Sequence, residues 1–321
     1  MSASEHHSVD SNSGDAGPRD GLSHLALLYH GPREFVDAVT GFVDEGLAAG
    51  EPVMVVVPRS RMDMIKAGLK GDGTHFADMT ELGRNPGRLI PAVQEFLEQF
   101  RDHRTRFVGE PIWPGRSADE IAEATRHEAL INVALADFPV TVLCPYDQDQ
   151  LPAKVIEDSW RTHPMVVKDG QARASDDYCD PADVFADEAW PLPPSPAGAE
   201  VREFRSDSDL SLIRSWVQHF AWASGMTMGR VDDLCLAVSE IVGNALQHGG
   251  AGGALRVWRD DGGAVMCEVR DVGRIADPLV GRYPPGPDLE ATGLWLVNQL
   301  CDLVAIRSGV DGTQVRLTVN L

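Results

Sequence analysis

Residues 240–248 read Glu-Ile-Val-Gly-Asn-Ala-Leu-Gln-His, and polar and apolar side chains repeat here with the period of a helix. Glu240, Asn244 and His248 are spaced four residues apart, so their side chains lie along one stripe. A second stripe is apolar and predicts a face packed on a core: Val231, Leu234, Val238, Ile241, Val242 and Ala245. The polar stripe offers a base, a metal ligand and a phosphate contact, although such a stripe taken alone is more often a solvated helix face.

The residues downstream decide between these two interpretations. They predict two strands joined by a turn, a broken segment, a helix with a glycine-containing start, and two final strands. In order, these are strands 254–260 and 264–270, the Pro/Gly-rich segment 277–288, the helix opening at 292–294, and strands near 302–309 and 313–320.

Single residues in this region suit the binding of a nucleotide. Asp271 at a strand end can accept a hydrogen bond from an exocyclic amine such as that of adenine. Gly273 lets a flat ring lie against the backbone, because no Cβ intervenes. Gly293 at a helix start exposes backbone N–H groups to phosphate. Glu240 can orient or deprotonate a nucleophile, and Asn244 can give Mg²⁺ an oxygen ligand.

In this order and spacing, the motifs resemble those of the GHKL ATPase family, in which helices pack on a mixed sheet to form an ATP-binding α/β sandwich. The matching motifs are Glu240, Asn244 and His248 for the N box, 271–273 for the adenine box, 292–294 for the phosphate box, and 312–313 for the last box. Over residues 200–321 the chain resembles the RsbW-type anti-sigma serine kinases. The resemblance implies binding of ATP and Mg²⁺, with a sigma factor and a STAS-type anti-anti-sigma protein as partners.

The resemblance also implies a role for each matching residue. It makes Glu240 the catalytic residue and Asn244 the ligand of Mg²⁺. The nucleotide contacts that it implies are His248, Asp271, Gly273, Gly293, Leu294 and Thr313. Two residues depart from the family pattern, since Ile275 and Ala291 stand where glycine is usual. Both remove freedom from segments that wrap the phosphates, so the sequence argues for ATP binding and leaves efficient phosphoryl transfer open.

Composition sets the broader class of the protein. With 321 residues, 43% of them hydrophobic and 24% charged, the chain is expected to form two globular domains. Its net charge of −21 argues against nucleic acid as a partner. The five cysteines are scattered without a metal-binding spacing, and no apolar run is long enough to span a membrane. We therefore expect a cytoplasmic protein with a polar tail at residues 1–21.

Short apolar runs alternate with amphipathic helical patterns from residue 22, which predicts a three-layer α/β domain with a mainly parallel sheet. The predicted strands are 24–29, 53–57, 75–79, 106–109 and 140–144, with helices near 35–47, 60–69, 87–101, 117–136 and 152–161. Ligands of such sheets bind beyond the carboxyl ends of the strands. Candidate residues for a sensory pocket are His24, Tyr29, Glu110, Trp113, His127, Glu128, Cys144 and Tyr146. The alternative is that these polar groups only cap loops.

Residues 22–168 resemble the MEDS sensory domain, a RecA-like module without the nucleotide loop. The matching segments are 24–29, 42–52, 109–114, 126–132 and 143–147. The resemblance implies a sensor of unnamed signal, and no catalytic motif is expected in this domain. A MEDS domain followed by a GHKL kinase domain is similar to the RsbA-type anti-sigma regulatory proteins. Between the two domains, residues 169–199 are acidic and Pro-rich, which predicts an extended linker.

Together these features predict an anti-sigma regulatory factor that binds ATP and Mg²⁺ and phosphorylates a Ser or Thr of a STAS-type partner. It would thereby control sigma-factor availability in transcription regulation and the stress response. One alternative is a non-catalytic, ATP-dependent switch that binds a sigma factor. Another is a sensor histidine kinase, which needs a phosphoacceptor His on a helical hairpin before the ATP domain; residues 169–199 contain no His. A homodimer remains open.

Overall fold

The computed structural model describes residues 21–185, 191–250, 252–284 and 292–321. Apart from Gly21, the predicted N-terminal tail lies outside these residues. The first domain contains, in chain order, β1 (Ser23–Tyr29), α1 (Gly31–Ala48), β2 (Val53–Val57), α2 (Arg59–Gly68), β3 (Thr74–Asp78), α3 (Met79–Leu82), α4 (Leu89–Gln99), β4 (Thr105–Gly109), α5 (Ala118–Ala134), β5 (Val140–Asp147), α6 (Ala153–Thr162), β6 (Met165–Lys168), β7 (Gln171–Ala174) and α7 (Pro181–Phe185).

The first sheet is parallel except at one edge, with the strand order β3-β2-β4-β5-β1-β6-β7. Helices cover both faces of strand β2, and four of its five residues are therefore buried. Val55 and Val57 pack with α1 and α2 on one face, whereas Val56 packs with α4 and α5 on the other. The predicted three-layer α/β architecture is confirmed.

The segment assigned to the linker contains more regular structure than its sequence suggests. Strand β7 continues the first sheet by pairing antiparallel to β6, across a turn in which Asp169 and Gly170 both have positive φ. All four residues of β7 are exposed, so the strand lacks the apolar alternation that reveals a half-buried one. Helix α7 then contacts α5 and buries Val184. Residues 191–199 contain neither helix nor strand, and residues 186–190 lie outside the described part.

Over its described residues, the second domain packs three α-helices on a five-stranded sheet. It contains β8 (Glu200–Phe204), α8 (Leu210–Ala223), α9 (Met228–Gly249), β9 (Gly253–Arg259), β10 (Val265–Asp271), α10 (Thr292–Leu300), β11 (Leu303–Gly309) and β12 (Gly312–Val319). The strand order is β11-β12-β10-β9-β8, and every pairing in it is antiparallel. The α/β sandwich is confirmed, but its expected mixed sheet is wrong. Hairpins make the pairs β9–β10 and β11–β12 antiparallel, and the pairs β10–β12 and β8–β9 are antiparallel as well.

Helix α9 is the central element of the second domain. Its apolar stripe is buried as predicted, from Val231 to Ala245, and packs against α8, α10 and the sheet. The helix ends at Gly250, whose φ of +67° is a left-handed conformation that glycine adopts at little cost. The polar stripe therefore lies along the boundary between this core and the surface.

The two domains contact each other at the C-terminal end of α10. Arg88 of the first domain donates to the carbonyl oxygens of Asn298, Gln299 and Cys301, at 2.8, 2.6 and 3.0 Å. These are carbonyl groups that a helix end leaves without intrahelical partners. A second contact joins Glu123 of α5 to Arg307 of β11, at 2.7 Å between Oε1 and Nη1. Among the described residues, no helix has the length and hydrophobicity needed to cross a membrane.

Candidate functional site

A cavity of about 290 Å³ opens in the second domain between α9, the loop after β10, the start of α10 and β12. Seven of the eight residues predicted for this site line the cavity: Asn244, His248, Asp271, Gly273, Gly293, Leu294 and Thr313. Ile241, Ala245, Ile275 and Val280 add apolar surface. The combination of an apolar wall with a few placed polar groups is typical of a small-molecule site.

Asp271 forms one end of the cavity, where β10 stops. Its Oδ1 accepts a hydrogen bond from the backbone N–H of Gly273 at 2.7 Å, which fixes the carboxylate. Burial raises the pKa of Asp271, while the Gly273 N–H and nearby His248 oppose this. A Cβ on Gly273 would lie 2.7 Å from Oδ1 of Asp271, so glycine is required for this close approach. The carboxylate is thus held ready to accept from a planar ligand.

A chain of hydrogen bonds supports the loop beside Asp271. Thr313 Oγ1 donates to the carbonyl oxygen of Gly273, and Ser308 Oγ lies 2.8 Å from Thr313 Oγ1. Ser308 Oγ in turn accepts from the backbone N–H of Ile275 at 2.8 Å. The sequence analysis missed Ser308. Its register opposite Thr313, across the turn of the β11–β12 hairpin, is the signal that could have found it.

Three predicted residues meet at the other end of the cavity. A Cβ added to Gly293 would lie 2.9 Å from Glu240 Oε2 and 3.3 Å from Asn244 Nδ2. Glu240 does not line the cavity itself but an adjoining groove of about 530 Å³, together with Asp207, Ser239 and Asn244. Asn244 therefore borders both spaces, and Glu240 faces the start of α10 from the groove. Ala291 lies outside the described residues, so its effect on this end stays a prediction.

The cavity has the features that a nucleotide with its magnesium ion requires. Because Gly293 has no Cβ, Glu240 and Asn244 approach the first turn of α10 closely, and the backbone N–H groups of such a turn can bind phosphate. Asn244 offers an amide oxygen close to the same point, a suitable ligand for Mg²⁺. Asp271 at the far end provides an acceptor among apolar side chains. The residues present therefore fit ATP and Mg²⁺.

Family models match the chain in two separate parts. Residues 23–164 match the model of the MEDS domain, described as the methanogen/methylotroph, DcmR sensory domain. Residues 205–319 match the model of the histidine kinase-like ATPase domain. The chain joins a MEDS domain to a histidine kinase-like ATPase domain.

No curated protein matches the chain. Among solved structures, the chain is similar to a crystal structure of the RsbU and RsbW domains of a protein from Mycobacterium tuberculosis, with 20% identity and a TM-score of 0.31. The match covers 65% of this chain and 49% of that chain, so this chain spans about half the length of the solved one.

In the MEDS domain, the structure brings six of the eight predicted sensory residues into two clusters, and Trp113 and His127 belong to neither. Tyr29 and Glu110 lie at the carboxyl ends of their strands, where Arg61 joins them. His24, Glu128 and Cys144 lie together deeper in the domain, near Tyr146 and His163. Seven of the eight residues are buried. Trp113 is half-buried, and the centre of its ring lies 3.9 Å from the Arg116 guanidinium carbon. Their role in sensing stays a prediction.

In the first of these clusters, one guanidinium group faces two carboxyl groups. Arg61 donates to Asp147 Oδ2 at 2.9 Å, whereas Glu110 Oε1 is 3.8 Å from the same guanidinium. Burial raises the pKa of Glu110 to about 8, against the attraction of Arg61 and with a further increase from Asp147. Glu110 is therefore mostly protonated at neutral pH. Sequence patterns gave no sign of Arg61, because it lies on α2 and meets Asp147 across a separation of 86 residues.

Proposed function

We propose that the chain is an anti-sigma regulatory factor whose ATPase domain binds ATP with Mg²⁺. It phosphorylates a Ser or Thr of a STAS-type anti-anti-sigma protein and so controls the availability of a sigma factor. The observation that carries the proposal is one cavity with Asp271 at one end and Asn244 and Gly293 at the other, with Glu240 beside it.

Each end of the cavity suits one part of the nucleotide. The second oxygen of Asp271 accepts from the adenine amine, since Gly273 already occupies the first. Ile275 and Leu294 contribute apolar surface for the faces of the ring. The first turn of α10 offers N–H groups to the phosphates, and Asn244 holds the metal ion, which when bound neutralises phosphate charge.

The adjoining groove suits the protein substrate. It is open, it is lined by Ser239, Glu240 and Gly243, and it borders the phosphate end of the cavity through Asn244. A hydroxyl group of the partner that enters this groove comes within reach of Glu240. Glu240 then orients the hydroxyl and accepts its proton. Phosphoryl transfer depends mainly on such positioning and on electrostatics.

The nucleotide part of the proposal is tested by Asp271→Asn in the full chain. The amide keeps the shape but replaces a charged acceptor, so ATP affinity measured by calorimetry should fall about 10- to 100-fold. Asp261→Asn, an exposed position in the β9–β10 turn, is the matched control and should bind ATP like the wild type. If Asp271→Asn binds ATP with unchanged affinity, the adenine contact is misassigned.

Glu240→Gln tests the transfer step. The variant should bind ATP normally but transfer labelled γ-phosphate to STAS proteins of the same organism about 10²- to 10⁴-fold more slowly. Asp232→Asn, an exposed acidic residue on the same helix, should transfer at the wild-type rate. Undiminished transfer by Glu240→Gln would refute the role of this carboxylate.

A non-catalytic switch is the second candidate function, and Ile275 favours it. Its side chain lines the cavity where the resembled family usually has glycine, and it stiffens the loop beside the nucleotide. A switch would bind a sigma factor in an ATP-dependent manner without labelling any STAS protein. Binding that requires ATP, combined with the absence of transfer from the wild-type chain, would select the switch over the kinase.

A further inference from the structure

Four buried side chains with metal-ligating atoms meet inside the MEDS domain, away from the nucleotide cavity. They are His24 on β1, Glu128 on α5, Cys144 on β5 and His163 directly after α6, and each is at most 1% exposed. One ligand atom from each lies within 4.8 Å of all the others. The proposed kinase function uses none of them.

Four of the six distances between these atoms are close to those of a tetrahedron around a small ion, and the other two are at most 4.8 Å. Glu128 Oε2 lies 3.1 Å from His24 Nε2, 3.3 Å from His163 Nε2 and 3.3 Å from Cys144 Sγ. Cys144 Sγ lies 3.4 Å from His24 Nε2. Tetrahedral zinc with bonds of about 2.0–2.3 Å requires separations of about 3.3–3.8 Å between ligand atoms. The four distances in the cluster are equal to or slightly shorter than these separations, so a small outward movement of the side chains gives the tetrahedral geometry.

The outer nitrogens of both histidines face oxygen acceptors. His163 Nδ1 lies 2.8 Å from the carbonyl oxygen of Ser159 and 3.0 Å from Thr162 Oγ1. Because the Thr162 hydroxyl donates to the carbonyl oxygen of Asp158, it also acts as an acceptor here, and Nδ1 carries the proton. His24 Nδ1 lies 3.0 Å from Asn132 Oδ1, and the Asn132 amide is oriented because its Nδ2 donates to the Thr162 carbonyl at 2.8 Å. In the neutral form, both Nε2 lone pairs therefore point into the cluster, as in metal-binding histidines.

A cluster of this composition is costly without a cation. Two Nε2 lone pairs and a carboxylate face one another. Of the four side chains only Cys144 has a proton to donate, and the neighbouring Tyr146 hydroxyl is a further hydrogen-bond partner of Glu128. Glu128 Oε1 and His163 Nε2 are buried without a hydrogen bond among the described residues. Buried polar groups without partners destabilise a fold. A dication would satisfy all four groups, and with a thiolate and a carboxylate the site would be electrically neutral.

We propose that His24, Glu128, Cys144 and His163 form a closed tetrahedral site for a divalent cation of the zinc type. Nitrogen and sulfur ligands with one carboxylate favour Zn²⁺ over Mg²⁺ or Ca²⁺. The ion connects β1, β5, α5 and the α6–β6 junction. Glu128 also lies on the helix that carries Glu123, whose carboxylate contacts Arg307 of the ATPase domain.

The metal content of the full chain tests the site directly. Protein purified without a metal-affinity tag is incubated with Zn²⁺, desalted and analysed by mass spectrometry of the element. We expect about one zinc ion per chain and, after exchange with Co²⁺, visible bands of tetrahedral cobalt with a thiolate charge-transfer band. A zinc content far below one per chain, or cobalt spectra of an octahedral ion, would overturn the proposal.

Variants assign the ion to this cluster. Cys144→Ser should abolish the charge-transfer band and weaken zinc binding at least about 10- to 100-fold. Cys179→Ser replaces a half-exposed thiol outside the cluster and should leave both unchanged. Zinc binding that survives Cys144→Ser would mean adventitious binding elsewhere, for example at His6 and His7, and would refute the site.

A measurement on the wild type covers the case in which Cys144→Ser does not fold. Chelator-treated full chain is heated with and without stoichiometric excess of Zn²⁺. Because an ion that binds only the folded state stabilises it, the melting temperature should rise by about 5 °C or more. An unchanged melting temperature would show instead that the cluster is a metal-free network of hydrogen bonds.

Discussion

At the scale of single residues, Glu110 shows how two carboxyl groups compete for one buried guanidinium group. Arg61 is already paired with Asp147, and burial raises the pKa of Glu110 to about 8. Between pH 4.5 and 8 the unfolded chain releases this proton while the folded chain retains it. The free energy of unfolding therefore decreases as the pH rises through this window.

Glu110→Gln removes this titration while keeping the neutral shape that the folded protein prefers. We expect the variant to be more stable than the wild type at pH 8, by up to about 3 kcal/mol, and to show a flatter dependence on pH between 5 and 8. Urea unfolding at several pH values measures both effects, with exposed Glu98→Gln as the control. A variant that is less stable at pH 8, or that retains the slope, would show that Glu110 is ionised in the fold.

The sequence predicts single residues well only where they belong to a local pattern. Asp271 and Gly273 are close in the chain, and their hydrogen bond could be expected from a strand end followed by glycine. Arg61 and His163 could not be found in this way, because their partners come from other elements. His163 meets Glu128 across 35 residues, and only the folded sheet brings the two together.

At the scale of elements, local sequence determined most boundaries, and the exceptions have identifiable causes. The apolar stripe of α9 and the buried run of β2 each match the observed burial. Strand β7 was missed because its residues are exposed, although the Asp169-Gly170 turn before it is a strong hairpin signal. Turn chemistry was therefore the better guide at this edge of the sheet.

Helix α10 depends on a residue from the other domain. Arg88 donates to three carbonyl oxygens at its C-terminal end, while its N-terminal turn faces the nucleotide cavity. Arg88→Ala leaves these carbonyls without their donor and should reduce stability by about 2 kcal/mol. Because the same helix shapes the phosphate end of the cavity, ATP affinity should also fall about fivefold or more.

Denaturant unfolding and calorimetry with ATP measure the two effects of Arg88→Ala. Arg101→Ala removes an exposed guanidinium at the end of α4 and is the control, with no expected change in either quantity. A loss of stability without a loss of ATP affinity would show that this domain contact does not reach the nucleotide site.

At the scale of the whole molecule, two domains could be expected from sequence patterns, but the contact between them could not. Glu123 and Arg307 are 184 residues apart, and neither lies in a motif. Both are buried, at 2% and 6% exposure. Burial lowers the pKa of Arg282, and Glu123 opposes that decrease while Arg307 adds to it. Glu123 thus provides negative charge for two guanidinium groups from the ATPase domain.

Glu123→Gln should therefore separate the unfolding of the two domains. The amide leaves two buried guanidinium groups without this carboxylate, at a cost of about 3 kcal/mol, and the loss falls on the domain contact. Scanning calorimetry should show two transitions where the wild type shows one. Adding Arg307→Gln should cost less than the sum of the single changes by about 1 kcal/mol or more. A single transition at the wild-type temperature would mean that the ion pair does not couple the sensory domain to the ATPase domain.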